Sequence, residues 1–271
     1  MKKFMAFLRL EMAQPPAFGT FHLVAFALTF VATFALCFFC RDVDDKGYRR
    51  ILFVIWIVMV VMEALKQFSK CYVITEDGNV VWGYDWTTFP FQLCDGPLYL
   101  LLPIALLPDG KMRNALSLYS AVYIVLGGLS TYILISTTFG TVAYWNVQTL
   151  AHHGLQIVSG VFIAVHNRKV WCDWKGFSSA VAVFLPAVGI ATLLNVVLHL
   201  LIPGQEINMF FISPFFKKTM PIWNTAWHSL HWSINILIYV VGVTVIAFGA
   251  YMLYLLLFRL AKCREPQEQT Q

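Results

Sequence analysis

Cys94, in Phe-Pro-Phe-Gln-Leu-Cys-Asp-Gly-Pro (residues 89–97), is the side chain of this sequence best suited to covalent chemistry. A thiol becomes a nucleophile when a neighbouring base or a helix N-terminus favours its thiolate. The Asp95-Gly96-Pro97 that follows reads as a helix start: Asp95 or Gly96 can cap, and Pro97 suits the first turn. Amide dipoles at such a start favour an anion. The residue types of a base are present in His152 and His153, and Asp95 or Glu63 could orient the imidazole. Successive helical residues point about 100° apart, so only one of the two histidines is expected to face the site. On residue types and spacing alone, an inert buried cysteine stays open as the alternative.

Further polar residues fall where the chain is otherwise apolar. Glu63 and Lys66 are spaced i, i+3, and Asn195 and His199 i, i+4. Each pair reads either as part of a site or as a structural pair: an ion pair that neutralises itself, or hydrogen-bonding glue between helices. His22, Gln92, Gln156, His228 and His231 complete the set. The cysteines (Cys37, Cys40, Cys71, Cys94, Cys172, Cys263) form no paired framework and no zinc-finger spacing. The C-x-x-C of Cys37 and Cys40 closes an apolar run and reads as small buried hydrophobes. No metal site, nucleotide-binding loop or haem motif is legible, so no cofactor is expected.

The elements that carry these residues follow from composition. Of 271 residues, 59% are hydrophobic and 12% charged, with 23 Phe, 11 Tyr and 9 Trp. Mean hydropathy is +0.69. A soluble globule of this size could not bury so much apolar surface. The aromatic content excludes a solvated disordered chain. An all-α polytopic membrane bundle remains, and the net charge of +5 is read as a determinant of orientation, with no nucleic-acid role.

A spanning helix needs roughly 20 apolar residues. Seven windows qualify: 21–40, 51–68, 89–107, 116–135, 146–165, 180–202 and 234–260. The third contains Pro97 and Pro103 and is expected to be broken or re-entrant. Residues 1–20 read as an interfacial segment, since Phe4, Leu8 and Met12 share a helix face, and residues 261–271 as a cytoplasmic tail. Residues 203–231 read as an interfacial lid or a plain loop.

Counting short connections, Arg41, Lys46, Arg49, Arg50, Lys111, Arg113, Arg168, Lys169, Lys175, Arg259, Lys262 and Arg264 lie on one side. Lys2, Lys3, Arg9, Lys70, Lys217 and Lys218 lie on the other. This asymmetry places the N-terminus outside and the C-terminus in the cytoplasm of a cell membrane. At about 1.5 Å per residue, Cys94 and Glu63 come about 8 Å into the membrane and His152 and His153 about 10 Å, all from the outer side. The polar residues are therefore expected to meet in one layer.

Several short motifs carry a resemblance. Pro-Ala-Phe-Gly-Thr-Phe-His before the first span, Glu63-Ala-Leu-Lys66-Gln, Phe-Pro-Phe-Gln-Leu-Cys94-Asp, His153-Gly154 and Asn208-Met-Phe-Phe before Pro214 resemble the YwaF-like integral membrane proteins, in one order over residues 18–260. That family is in turn similar to animal multispan enzymes that transfer or hydrolyse fatty-acyl groups with a Cys or Thr nucleophile and a His. The resemblance implies Cys94 as nucleophile, His153 as base and membrane lipids as substrate; His152 is the reserve base, because a 100° rotation of the helix would exchange the two histidines. Members often carry His two residues before the Cys, where this chain has Gln92; either Gln92 or the backbone amides near Gly96 are expected to stabilise the oxyanion. A non-enzymatic permease or binding protein, holding a small solute in the polar layer, is the competing reading. Oligomeric state is open.

Overall fold

The computed structural model describes residues 1–134, 138–171, 173–216 and 230–262. Cys172, Lys217, Lys218, His228, Cys263 and Arg264 lie outside the described residues. The architecture is nearly all-α. Its helices are α1 (Lys2–Leu8), α2 (Thr20–Cys40), α3 (Asp45–Ser69), α4 (Gly96–Leu106), α5 (Lys111–Tyr119), α6 (Val125–Ile133), α7 (Ala143–His166), α8 (Phe177–Leu201) and α9 (Trp232–Lys262). A π-helical turn, Ser120–Ile124, joins α5 to α6 into one 23-residue helix. Five helices are long and apolar enough to cross a membrane: α2, α3, the α5–α6 unit, α8 and α9.

The α5–α6 unit and α7 form the interior. Two thirds of the apolar window of the former is buried, against 6% for α2. Aromatic rings from α5, the π-turn and α8 stack through the centre, with Tyr123 and Phe184 centroids 4.4 Å apart. Around this pair, α2 and α3 both rest on α7, and α4 packs along α3. Trp56 of α3 donates to the Leu98 carbonyl of α4 at 2.8 Å, which fixes that contact.

The third predicted window differs from the observed helix. Residues 89–92 are not helical, and the helix starts with a 3₁₀ turn at Leu93–Asp95 that runs into α4. Pro90 removes an amide donor there, and Gln92 is extended (φ −98°, ψ 167°). At eleven residues α4 is about 16 Å long, roughly half the hydrocarbon thickness. A second difference is a small hairpin, β1 (Tyr72–Ile74) antiparallel to β2 (Val80–Trp82), closed by Gly78 at φ 72°.

The N-terminal segment is a strap over this end of the bundle. α1 buries Met5 and Leu8, and Tyr72 donates to the Met5 carbonyl at 2.8 Å. Arg9 donates to the carbonyls of Ser69 and Tyr72. The amide of Met12 then donates to Thr141 O, just before α7. At the opposite end, Asp42 and Asp45 hold Arg168 and Arg113 at 2.5 Å each, tying the α2–α3 turn to α7 and α5.

Candidate active site

Cys94 lies in the 3₁₀ turn that opens α4. The turn is closed by the Asp95 side chain: the Gln92 backbone N–H donates to Asp95 Oδ2 at 2.6 Å. It is pressed against α6 because residue 127 has no side chain; a Cβ there would stand 3.5 Å from Cys94 Cα and 3.0 Å from Gln156 Nε2. Gln156 is fully buried and donates to the Ile124 carbonyl in the π-turn at 2.6 Å. A π-turn shifts the hydrogen-bond ladder and leaves carbonyls for such partners.

Two histidines of α7 meet this turn. His152 Nε2 lies 3.0 Å from the Cys94 carbonyl oxygen and 3.9 Å from Asp95 Oδ1. A carbonyl only accepts, so a neutral His152 carries its proton on Nε2. Its buried Nδ1 has no partner among the described residues. His153 has the other tautomer: Nδ1 donates to the Thr149 carbonyl at 2.7 Å and leaves Nε2 as the acceptor. The rings stand 5.4 Å apart at 66°. Both line the same cavity, which differs from the expectation that only one would face it.

The cavity has a volume of about 300 Å³ and gathers Cys94, Asp95, Gln92, His152, His153, Lys66 and Lys70 with the mostly polar residues around them. Its polar floor is a network from α3 and α7. The buried Glu63 accepts from Lys66 at 2.8 Å, from Gln67 at 2.6 Å and from Gln148 at 3.0 Å. Gln67 also donates to the Thr88 carbonyl and accepts from the Tyr84 hydroxyl. At the rim, Lys70 sits 3.5 Å over the Trp145 ring and 3.4 Å from Asp85. Burial pushes the Lys70 ammonium below its usual range, and Asp85 pulls it back. Asp85 stays below the ordinary carboxylate range against its own burial, because Thr87 and Lys70 hydrogen-bond to it.

Three predicted residues hold a neighbouring segment, and two of them lie outside the cavity lining. Gln92 borders the cavity, but both ends of its amide are committed: Nε2 donates to Asn208 O at 2.9 Å, and Oε1 accepts from the Phe210 amide at 2.7 Å. It therefore clamps a loop, with one of its two Nε2 hydrogens given to Asn208. Asn195 makes the same two-point clamp on Met209, at 2.6 and 3.0 Å, away from the cavity. His199 stacks on Phe215 at 3.8 Å and is not part of the cavity lining. These clamps hold the segment around Phe210, whose φ of 55° is left-handed, as a buried plug beside the turn.

Gln67, Gln148 and Thr149 escaped sequence reasoning, whereas Gln156 was among the polar residues expected in the layer. The signal was spacing: Gln67 lies four residues after Glu63, while Gln148 and Thr149 lie four before His152 and His153. Cys37 and Cys40 are free thiols packed against the core. Among the described residues, no three His, Cys, Asp or Glu side chains are grouped to hold a metal ion. The arrangement places a thiol, an imidazole acceptor, a fixed helix start and an ammonium around one small cavity. Comparisons of the chain with protein-family models, with curated proteins and with solved structures returned no match.

Proposed function

We propose that this protein is an integral membrane enzyme that cleaves acyl esters of membrane lipids through a thioester on Cys94, with His153 as base. The observation that supports it is the shared cavity, in which the Cys94 turn and the preset His153 tautomer adjoin the Lys66 ammonium. In the reaction, the Cys94 thiol proton passes to His153 Nε2 as Sγ bonds to the ester carbonyl carbon. The resulting oxyanion is met by Lys66 and by the Leu93 and Cys94 amides, which open the 3₁₀ turn and have no partner inside the helix. Collapse breaks the C–O bond, and the leaving alkoxide takes the proton from His153. The thioester then passes its acyl group to water or to an acceptor hydroxyl: the same histidine removes that oxygen's proton as the new C–O bond forms and returns it to Cys94 Sγ as the C–S bond breaks. His152 holds the Cys94 carbonyl and so positions the turn. The bundle crosses the membrane seven times in this reading, with the N-terminus outside and the C-terminus cytoplasmic.

The test is labelling in intact membranes with a lipid-mimetic electrophile, followed by mass spectrometry of the Cys94 peptide. A Cys94 adduct that is lost in Cys94→Ser, together with an acyl thioester trapped on the same peptide, is the expected result. An unlabelled Cys94, with solute uptake by vesicles containing the purified protein, would replace the enzyme by the permease.

A further inference from the structure

An apolar furrow runs between α2 and α3 on a different face of α7 from the Cys94 cavity. Although a short turn links α2 to α3, each rests on α7, and the space between them stays open. Only His22 and Thr29 of the 21 residues of α2 are buried. The floor is cut from small residues: Ala25 and Ala32 of α2, Ala151 and Gly154 of α7. A Cβ on Gly154 would stand 2.6 Å from Thr29 Oγ1, so the groove depends on that glycine. One stretch encloses about 610 Å³; a second, of about 400 Å³, continues it past Ala32 and ends at Arg50. From Met62 to Arg50 along α3 the furrow is about 18 Å long, slightly more than one leaflet of a bilayer whose core is about 30 Å.

The charge at its end selects the occupant. At this end of the bundle Arg41 and Arg168 pair with Asp42, and Arg49 and Arg113 with Asp45. Arg50 is exposed and has no carboxylate partner among the described residues. The far end, at Thr20 and Phe21, offers no cation. We infer that the α2–α3 furrow binds one acyl chain of an anionic phospholipid, whose headgroup phosphate meets Arg50. The lipid belongs to the leaflet opposite Cys94 and is not the substrate. The inference rests on the membrane reading and is independent of the thioester chemistry.

The test uses the full chain in phosphatidylcholine nanodiscs with a trace of phosphatidylglycerol carrying a diazirine in mid-chain, against phosphatidylcholine carrying the same group. Adducts of the anionic probe should concentrate on furrow peptides of α2, α3 and α7, about fivefold above the neutral probe, the gain expected from one basic residue at an anionic headgroup. Arg50→Gln should remove the preference and Arg50→Lys retain it, while Cys94 labelling is unchanged in both. Adducts spread evenly over α8 and α9, equal capture of the two probes, or a preference that survives Arg50→Gln would reduce the furrow to ordinary surrounding lipid. Loss of Cys94 labelling in Arg50→Gln would join the furrow to the cavity and overturn the separate site. Adduct mapping needs no turnover, so failure of the Cys94 chemistry leaves this result readable.

Discussion

His152 and His153 are adjacent, yet their hydrogen bonds give them opposite tautomers and different tasks. His153→Ala removes the free acceptor and should slow Cys94 alkylation about 100-fold or more, the usual contribution of a positioned base. His152→Ala should cost less, and His152→Gln should restore most of that loss, because a glutamine can still donate to the Cys94 carbonyl. Equal effects of the two alanine variants, with no glutamine rescue, would contradict this division. Glu63 and Lys66 are the second residue-scale test. Glu63 is buried and takes three donors, one of them the Lys66 ammonium. Lys66→Met leaves a buried carboxylate with two amides, and breaking such a pair costs about 3 kcal/mol or more. Thermal unfolding in detergent should therefore rank Lys66→Met below the double variant Glu63→Gln/Lys66→Met. A double variant no more stable than the worse single one would show that the pair adds nothing.

At the scale of elements, the position of Cys94 depends on three close packings: its turn on Gly127, Gly96 on Ile124, and Gly160 of α7 on Val125 and Ser120. Gly127→Val should push the turn off α6 and lower Cys94 labelling sharply while costing only about 1–3 kcal/mol of stability. Gly189→Val in α8, where a new Cβ meets nothing within 4 Å, should change neither. Labelling and thermal unfolding of the two variants, measured side by side, separate local displacement from general loss of fold. The helix start at Cys94 was readable because Asp-Gly-Pro is local chemistry. Five of the apolar windows were readable as long apolar helices because lipid-facing positions are apolar whatever packs behind them. The π-turn was not, since it forms where α7 and α9 supply partners (Gln156 to Ile124 O, Tyr254 to Ala121 O) far away in sequence. Asn195 and His199 were misplaced for a related reason. Rise per residue gives height along a helix but not the direction a side chain takes around it, and both point to the Met209–Phe216 segment.

For the molecule as a whole, hydrogen bonds divide the chain between two ends. Met12 with Thr141, Trp145 with Ser69 and Gln92 with Asn208 lie at the cavity end. Arg49 with the Leu106 carbonyl, Arg168 with Asp42 and Tyr251 with the Asp173 carbonyl lie at the other. Leu106 ends α4, so this short helix runs from the cavity end toward the arginine-rich end, over a distance too small for a free-standing span. It is workable in a bilayer because α4 is not free-standing: it lies along α3, and non-helical backbone at membrane depth is tolerated where protein covers it. With both α4 and α7 counted as crossings beside the five long apolar helices, as in the proposed topology, the number of passes is seven and therefore odd. On the proposed topology, the excess of Arg and Lys at the Asp42–Asp45 end places that end in the cytoplasm. Compartment-specific reporters fused before Met1 and after Gln271 should therefore read opposite sides, the first outside and the second inside. Moving the bias is the stronger check: replacing Lys46, Arg168 and Lys169 by Gln while adding three lysines beside Glu76 should raise the inverted fraction. If both reporters read one compartment in the unaltered chain, α4 turns back within the membrane, and every depth assigned after Cys94 changes side with it.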